Sequence, residues 1–115
     1  MMCKENAMKK KTHIRAFAKS LAAEIPELQR RLQEYYRSDE YFRRIGFDAS
    51  QSALVRLLGE LLKHLEDLDE KRLKGDMVGI YRIISDDAEL EKSALGKDLY
   101  AFNDRLEELI RLLNQ

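Results

Sequence analysis

The chain has a single cysteine, Cys3, and so no internal disulfide and no cysteine-based metal site can form from its 115 residues. It has no tryptophan, one proline and five glycines. The scarcity of glycine and proline argues against turn-rich β-architecture and against flexible linkers between domains. No run approaches the ~20 apolar residues that a membrane span requires. The early lysines are followed by Ile14, Phe17 and Leu21 with Arg15 and Lys19 among them, not by an unbroken apolar segment, so a secretory signal is not expected. The expected location is the cytoplasm, where a lone thiol stays reduced.

Net charge is also missing. Lys plus Arg number 21, Asp plus Glu number 21, and charged residues make up 37% of the chain. The zero conceals a gradient. Residues 1–23 carry Lys4, Lys9, Lys10, Lys11, Arg15 and Lys19 against Glu5, whereas residues 75–115 carry more acids than bases. Such an electrical polarity is suited to orienting a partner or a second copy of the chain.

Helical periodicity is the strongest positive signal. Ile14, Phe17, Leu21, Ile25, Leu28, Leu32 and Tyr35 recur every three or four residues, with Pro26 expected to bend the segment. Ser38 or Asp39 is expected to cap a short helix ending near Ile45, with Gly46 as a stop. Asp48 and Gln51 form a candidate capping pair, with Phe47 positioned to staple the next turn. Leu54, Leu58, Leu61, Leu65 and Leu68, widened by Val55, Leu57 and Leu62, predict a helix from about 49 to 73 that stops at Gly75. Asp76 then caps a helix carrying Met77, Ile80, Tyr81 and Ile84, and Leu95, Leu99, Phe102, Leu106, Leu109 and Leu113 mark the last one. The expected fold is all-α: a compact antiparallel helical bundle of four main helices plus one or two short helical segments. A flexible basic N-terminal arm over 1–11 precedes a single domain over 12–115.

Chemistry is sparse. Gly75-Asp76-Met77-Val78-Gly79 lacks the lysine and spacing of a phosphate loop. His13 and His64 are the only histidines. His64 stands in an acidic neighbourhood one turn from Glu60, but no Glu-x-x-His element accompanies it, and both are assigned to a solvated helix face. No catalytic residue, metal or cofactor is expected. The aromatic residues Tyr35, Tyr36, Tyr41, Phe42 and Phe47 cluster among arginines, a composition found at protein–protein hot spots. Tyr36, Arg37, Tyr41 and Arg44 are the candidate anchors for another protein or a second copy. The function expected is non-enzymatic macromolecular binding, as an adaptor, regulator, immunity protein or assembly subunit. The alternative is nucleic-acid binding through Lys9, Lys10, Lys11, Arg15, Lys19, Arg30 and Arg31, with the arginines near 37–44 extending the basic surface and aromatic rings able to stack on bases.

Overall fold

The computed structural model describes the backbone from Met2 to Gln115 and the side chains from Lys11 onward. Its described residues form helices and turns without strands. Helix α1 spans Met2–Ser38, α2 Glu40–Arg44, α3 Ala53–Asp67, α4 Glu70–Asp86, α5 Ala88–Lys92 and α6 Ala94–Leu113, with a single 3₁₀ turn at Ala49–Gln51. Where a basic arm was expected over 1–11, the helix begins at Met2; the side chains of Lys4, Lys9 and Lys10 lie outside the described residues. Pro26 lies inside α1, which continues through it to Ser38.

The four long helices run up, down, up and down. On the α1–α6 face, Glu24 pairs with Arg105 and Arg31 pairs with Asp98 at 2.8 Å. Seven residues forward along α1 therefore match seven backward along α6, the signature of an antiparallel register. Gln29 Nε2 donates to the Val55 carbonyl at 3.0 Å across α1–α3, and Asn103 Nδ2 to the Met77 carbonyl at 3.1 Å across α4–α6. The core lies between these faces. Leu21, Ile25 and Leu32 of α1 meet Leu54, Leu58 and Leu61 of α3, Leu73, Ile80 and Ile84 of α4, and Leu99 and Leu106 of α6, all without solvent exposure. Burial of apolar area at roughly 25 cal/mol per Å² is the main stabilising term in such a core.

Side-chain caps define most boundaries. Asp39 accepts from the backbone N–H groups of Tyr41 and Phe42, Ser52 from Val55, Asp69 from Arg72, Asp87 from Leu90 and Ser93 from Gly96. Each satisfies a donor that the first helical turn leaves without an intrahelical partner. Asp48 caps the 3₁₀ turn by accepting from Ser50, and α3 itself starts at Ala53, after the Ser52 cap and about four residues after the start expected from the sequence.

The largest departure from the sequence pattern is the end of α3. The chain reverses at Leu68–Asp69 instead of Gly75. Leu68 adopts φ 51°, in the left-handed region, and its N–H bonds back to the His64 and Leu65 carbonyls. Gly75 and Asp76 consequently sit inside α4. A left-handed leucine has no sequence signature, because the Cβ makes that region unfavourable for L-residues. Here the apolar side chain stays packed against the core while the backbone turns.

Gly46 is the other left-handed residue, at φ 69° after α2, as its helix-stop reading requires. Space is not the constraint there, since nothing lies within 4 Å of an added Cβ. Gly46→Ala is therefore expected to cost about 1 kcal/mol through backbone strain alone. Urea denaturation of the variant, with an unchanged m-value, checks this.

Candidate binding surfaces

The structure separates the aromatic residues near the α1–α2 junction by role. Tyr36 is 8% exposed and belongs to the core, so its ring is withdrawn from the surface anchor set proposed from sequence. It makes edge contacts with Tyr35 and Phe42, with ring centres at 5.2 and 5.0 Å. Two adjacent tyrosines cannot both enter the core from one helix face; Tyr36 enters, and Tyr35 stays half-buried with its hydroxyl 3.3 Å from Asp87. Burial, followed by the charge of Asp87, raises the Tyr35 pKa above the usual phenol range.

Phe42 and Phe47 pack ring to ring at 5.0 Å, and both touch Tyr36. Phe47 thus closes the α2 turn against α1 and joins this aromatic cluster. Above the cluster stand Tyr41 and Ile45, 62% and 56% exposed, with Phe47 at 38% on the same turn. Arg37, Arg43 and Arg44 are exposed around them. Arg37 donates to Gln33 at 3.2 Å, and Arg44 to Glu40 at 3.1 Å. Of the four anchors expected from sequence, Arg37, Tyr41 and Arg44 are at the surface; Ile45 and Phe47, assigned there to structure, join them.

The basic residues considered for nucleic acid divide differently. Lys11, Arg15 and Lys19 are exposed at four-residue steps along one face of α1. Arg30 is held by Glu27 at 2.6 Å and by Glu34 at 3.1 Å, and Arg31 by Asp98. The side-chain hydrogen bond from Arg30 holds the Glu27 carboxyl below its ordinary range. Arg30 and Arg31 are therefore already paired with carboxylates of this chain. The side chains of Lys9 and Lys10 lie outside the described residues.

His13 is exposed, as a solvated helix residue should be. His64 is not on a solvated face. Its Nδ1 lies 2.5 Å from Asp76 Oδ2, and the two side chains retain 16% and 7% of their exposure. The turn at Leu68 folds α4 back along α3 and brings these residues together; on one continuous helix, twelve positions would separate them by ~18 Å. Desolvation raises the Asp76 pKa above its ordinary 3.8, with His64 opposing the rise and Glu60 adding to it. Neither residue lines the surface depressions around Tyr81 and Tyr100, around Lys19 and Leu62, around Arg31 and Asp98, or around Ile14 and Leu112. Among the described residues, no group of three or more His, Cys, Asp or Glu side chains is placed to hold a metal ion. No described helix is long and apolar enough to cross a membrane.

A second surface feature lies between α4 and α6, where a groove of about 540 Å³ opens beside α5. Met77, Val78 and Tyr81 form its α4 side, and Tyr100 stands opposite, with the two tyrosine rings 5.7 Å apart. Glu91, Asp104 and Glu107 supply its charge. Tyr100 donates to Glu91 at 2.5 Å; this bond and desolvation push its phenol pKa up to about 12. Asn103, 6% exposed, also lines the groove. While its Nδ2 serves Met77, its Oδ1 has no hydrogen-bond partner among the described residues. A shielded acceptor without a donor carries a desolvation cost of about 1–3 kcal/mol. The groove leaves no signal in the linear sequence, because its residues are spread over three helices.

Comparison with known proteins adds no relative: no family model, curated protein or solved structure matches this chain.

Proposed function

We propose that the protein is a non-enzymatic binding module that docks another protein through the α2 turn. The observation that carries this reading is the clustering of Tyr41, Ile45 and Phe47. They are three of the five large hydrophobic residues exposed among the described residues, and they occupy one short turn. An apolar side chain left in water forfeits the stabilisation that burial would provide, so three on one turn are best explained by a surface that becomes covered. The turn is pre-organised for this role. Asp39 caps it, and the Tyr36–Phe42–Phe47 rings support it from below. Docking therefore requires little ordering of the backbone, which favours affinity. Arg37, Arg43 and Arg44 form a polar rim of the kind that surrounds an apolar hot spot.

The nucleic-acid reading receives less support. Arg30 and Arg31 are paired within the chain, which leaves the exposed Lys11, Arg15 and Lys19 separated along α1 from the exposed Arg37, Arg43 and Arg44 and not joined to them in one free basic surface among the described side chains.

The test is affinity capture from host lysate by the wild type and by Tyr41→Ala/Ile45→Ser, followed by a binding titration with the purified captured partner. Both substitutions are at exposed positions, so the thermal melt should be unchanged. Affinity for the partner is expected to fall at least about a hundredfold, the scale of two hot-spot truncations. Equal affinity of the two forms, or capture that disappears after nuclease treatment, rejects the reading.

A further inference from the structure

We propose that the groove between α4 and α6 receives the cationic side chain of an arginine or lysine presented by a protein partner. Its chemistry is complementary to such a side chain at both ends. Met77 and Val78 offer an apolar wall to the aliphatic stem. The rings of Tyr81 and Tyr100, tilted at 49° with centres 5.7 Å apart, add aromatic surface to the same lining, the kind of surface to which a cationic head, above all a planar guanidinium, is attracted.

The charge balance selects the sign. Glu91, Asp104 and Glu107 line the groove, and no lysine or arginine among the described side chains does. Asp104 has no ion-pair partner among the described residues. Arg111 comes only within 4.0 Å of Glu107 and is held more closely by Glu108 at 2.8 Å. An anion would be repelled, and a purely apolar occupant would strip water from carboxylates without replacing it. The carboxylates are not gathered for a metal ion. A diffuse organic cation on an apolar stem matches the lining. Asn103 supplies an independent sign of an incomplete site: it is more than nine-tenths buried beneath the groove, and its Oδ1 acceptor has no donor.

This site is separate from the α2 turn and stands or falls without it. The probe is a capped glycine–alanine hexapeptide carrying two arginines, titrated into the ¹⁵N-labelled full chain, with the citrulline version as the uncharged control. Saturable shifts are expected at residues 77–81 and 100–107. The citrulline peptide and the Asp104→Asn/Glu107→Gln variant should each bind at least about tenfold more weakly, and added salt should weaken the arginine complex. Both substituted residues are exposed, so the variant should fold; Tyr81→Leu, which leaves every carboxylate in place, should weaken binding as well. Tyr41→Ala/Ile45→Ser should bind the peptide normally, which separates this site from the α2 docking surface. Equal binding of the arginine and citrulline peptides, shifts unaffected by the charge variant, or self-association that blocks the groove in the free chain overturns the proposal.

Discussion

Replacing Gly96 by alanine is expected to destabilise the fold by about 3 kcal/mol, a large effect for a single methyl group. Gly96 is buried in the first turn of α6, where its N–H donates to the Ser93 cap at 3.0 Å. An added Cβ would stand 1.9 Å from the Leu90 carbonyl oxygen, 2.8 Å from its carbon and 3.0 Å from the Glu91 Cα. All three are backbone atoms, so no rotamer change relieves the overlap. Leu90 is itself fixed, because its side chain is fully buried and its carbonyl accepts from Ser93 Oγ at 2.6 Å. Relief requires α5 and α6 to separate, opening the core around Leu90. The control is Gly75→Ala. Gly75 is exposed inside α4 with nothing within 4 Å of an added Cβ, so the same substitution should stabilise by about 0.5–1 kcal/mol through helix propensity. Parallel denaturant titrations should move the two midpoints in opposite directions.

Asp76→Ala is expected to cost about 2 kcal/mol at neutral pH, because it leaves His64 Nδ1 without its partner in a largely shielded site. A double-mutant cycle with His64→Ala should yield a coupling of about 1–2 kcal/mol, which distinguishes loss of the pair from loss of volume. The pH dependence has a definite sign. The folded Asp76 pKa is raised, so between its ordinary value of 3.8 and the raised one the native state binds more proton than the unfolded state. That contribution is present in full below the ordinary value and is lost as pH rises through the raised value. His64 and Glu60, both on α3, face the carboxyl and modulate the window. Asp76→Asn removes the titration while keeping a hydrogen-bonding amide. Its stability should decline less than that of the wild type as pH rises above the ordinary 3.8 and through the raised value, measured by denaturation midpoints at each pH.

Much of this fold was legible because helical burial repeats locally. The stripes at Leu54–Leu58–Leu61–Leu65 and Leu99–Phe102–Leu106–Leu109 mark core faces directly, and the structure buries each of these residues. Asp39 and the end of α2 at Ile45 were likewise readable, since a side-chain cap and a left-handed glycine act within a few residues. The turn at Leu68 was not readable. Gly75 is the stronger local stop signal, yet tertiary packing favours a reversal at a leucine whose side chain remains packed against the core. That displacement carried the site residues with it. Asp76, expected as a cap, became the buried partner of His64. One trace was present in the spacing: Asp76 falls within the Leu73, Ile80 and Ile84 stripe, and Asn103 beside Phe102 and Leu106. Polar residues on a core face point to partners elsewhere in the chain.

The candidate surfaces show the same division. Clustering of Tyr41 and the arginines was visible in the linear chain, but the choice between Tyr35 and Tyr36 for the interior was not, because adjacent residues on one helix compete for a single inward direction. The α4–α6 groove depends on antiparallel register, which places Tyr81 beside Tyr100 and Met77 beside Asn103. By itself the sequence determined an all-helical chain with broad apolar faces, a basic head and an acidic end. Only the tertiary structure decided which polar groups were buried together, which aromatic rings remained at the surface and where the acidic end formed a concave site. Periodicity and capping act over one or two turns, whereas burial, pairing and concavity depend on the register between helices far apart in the chain.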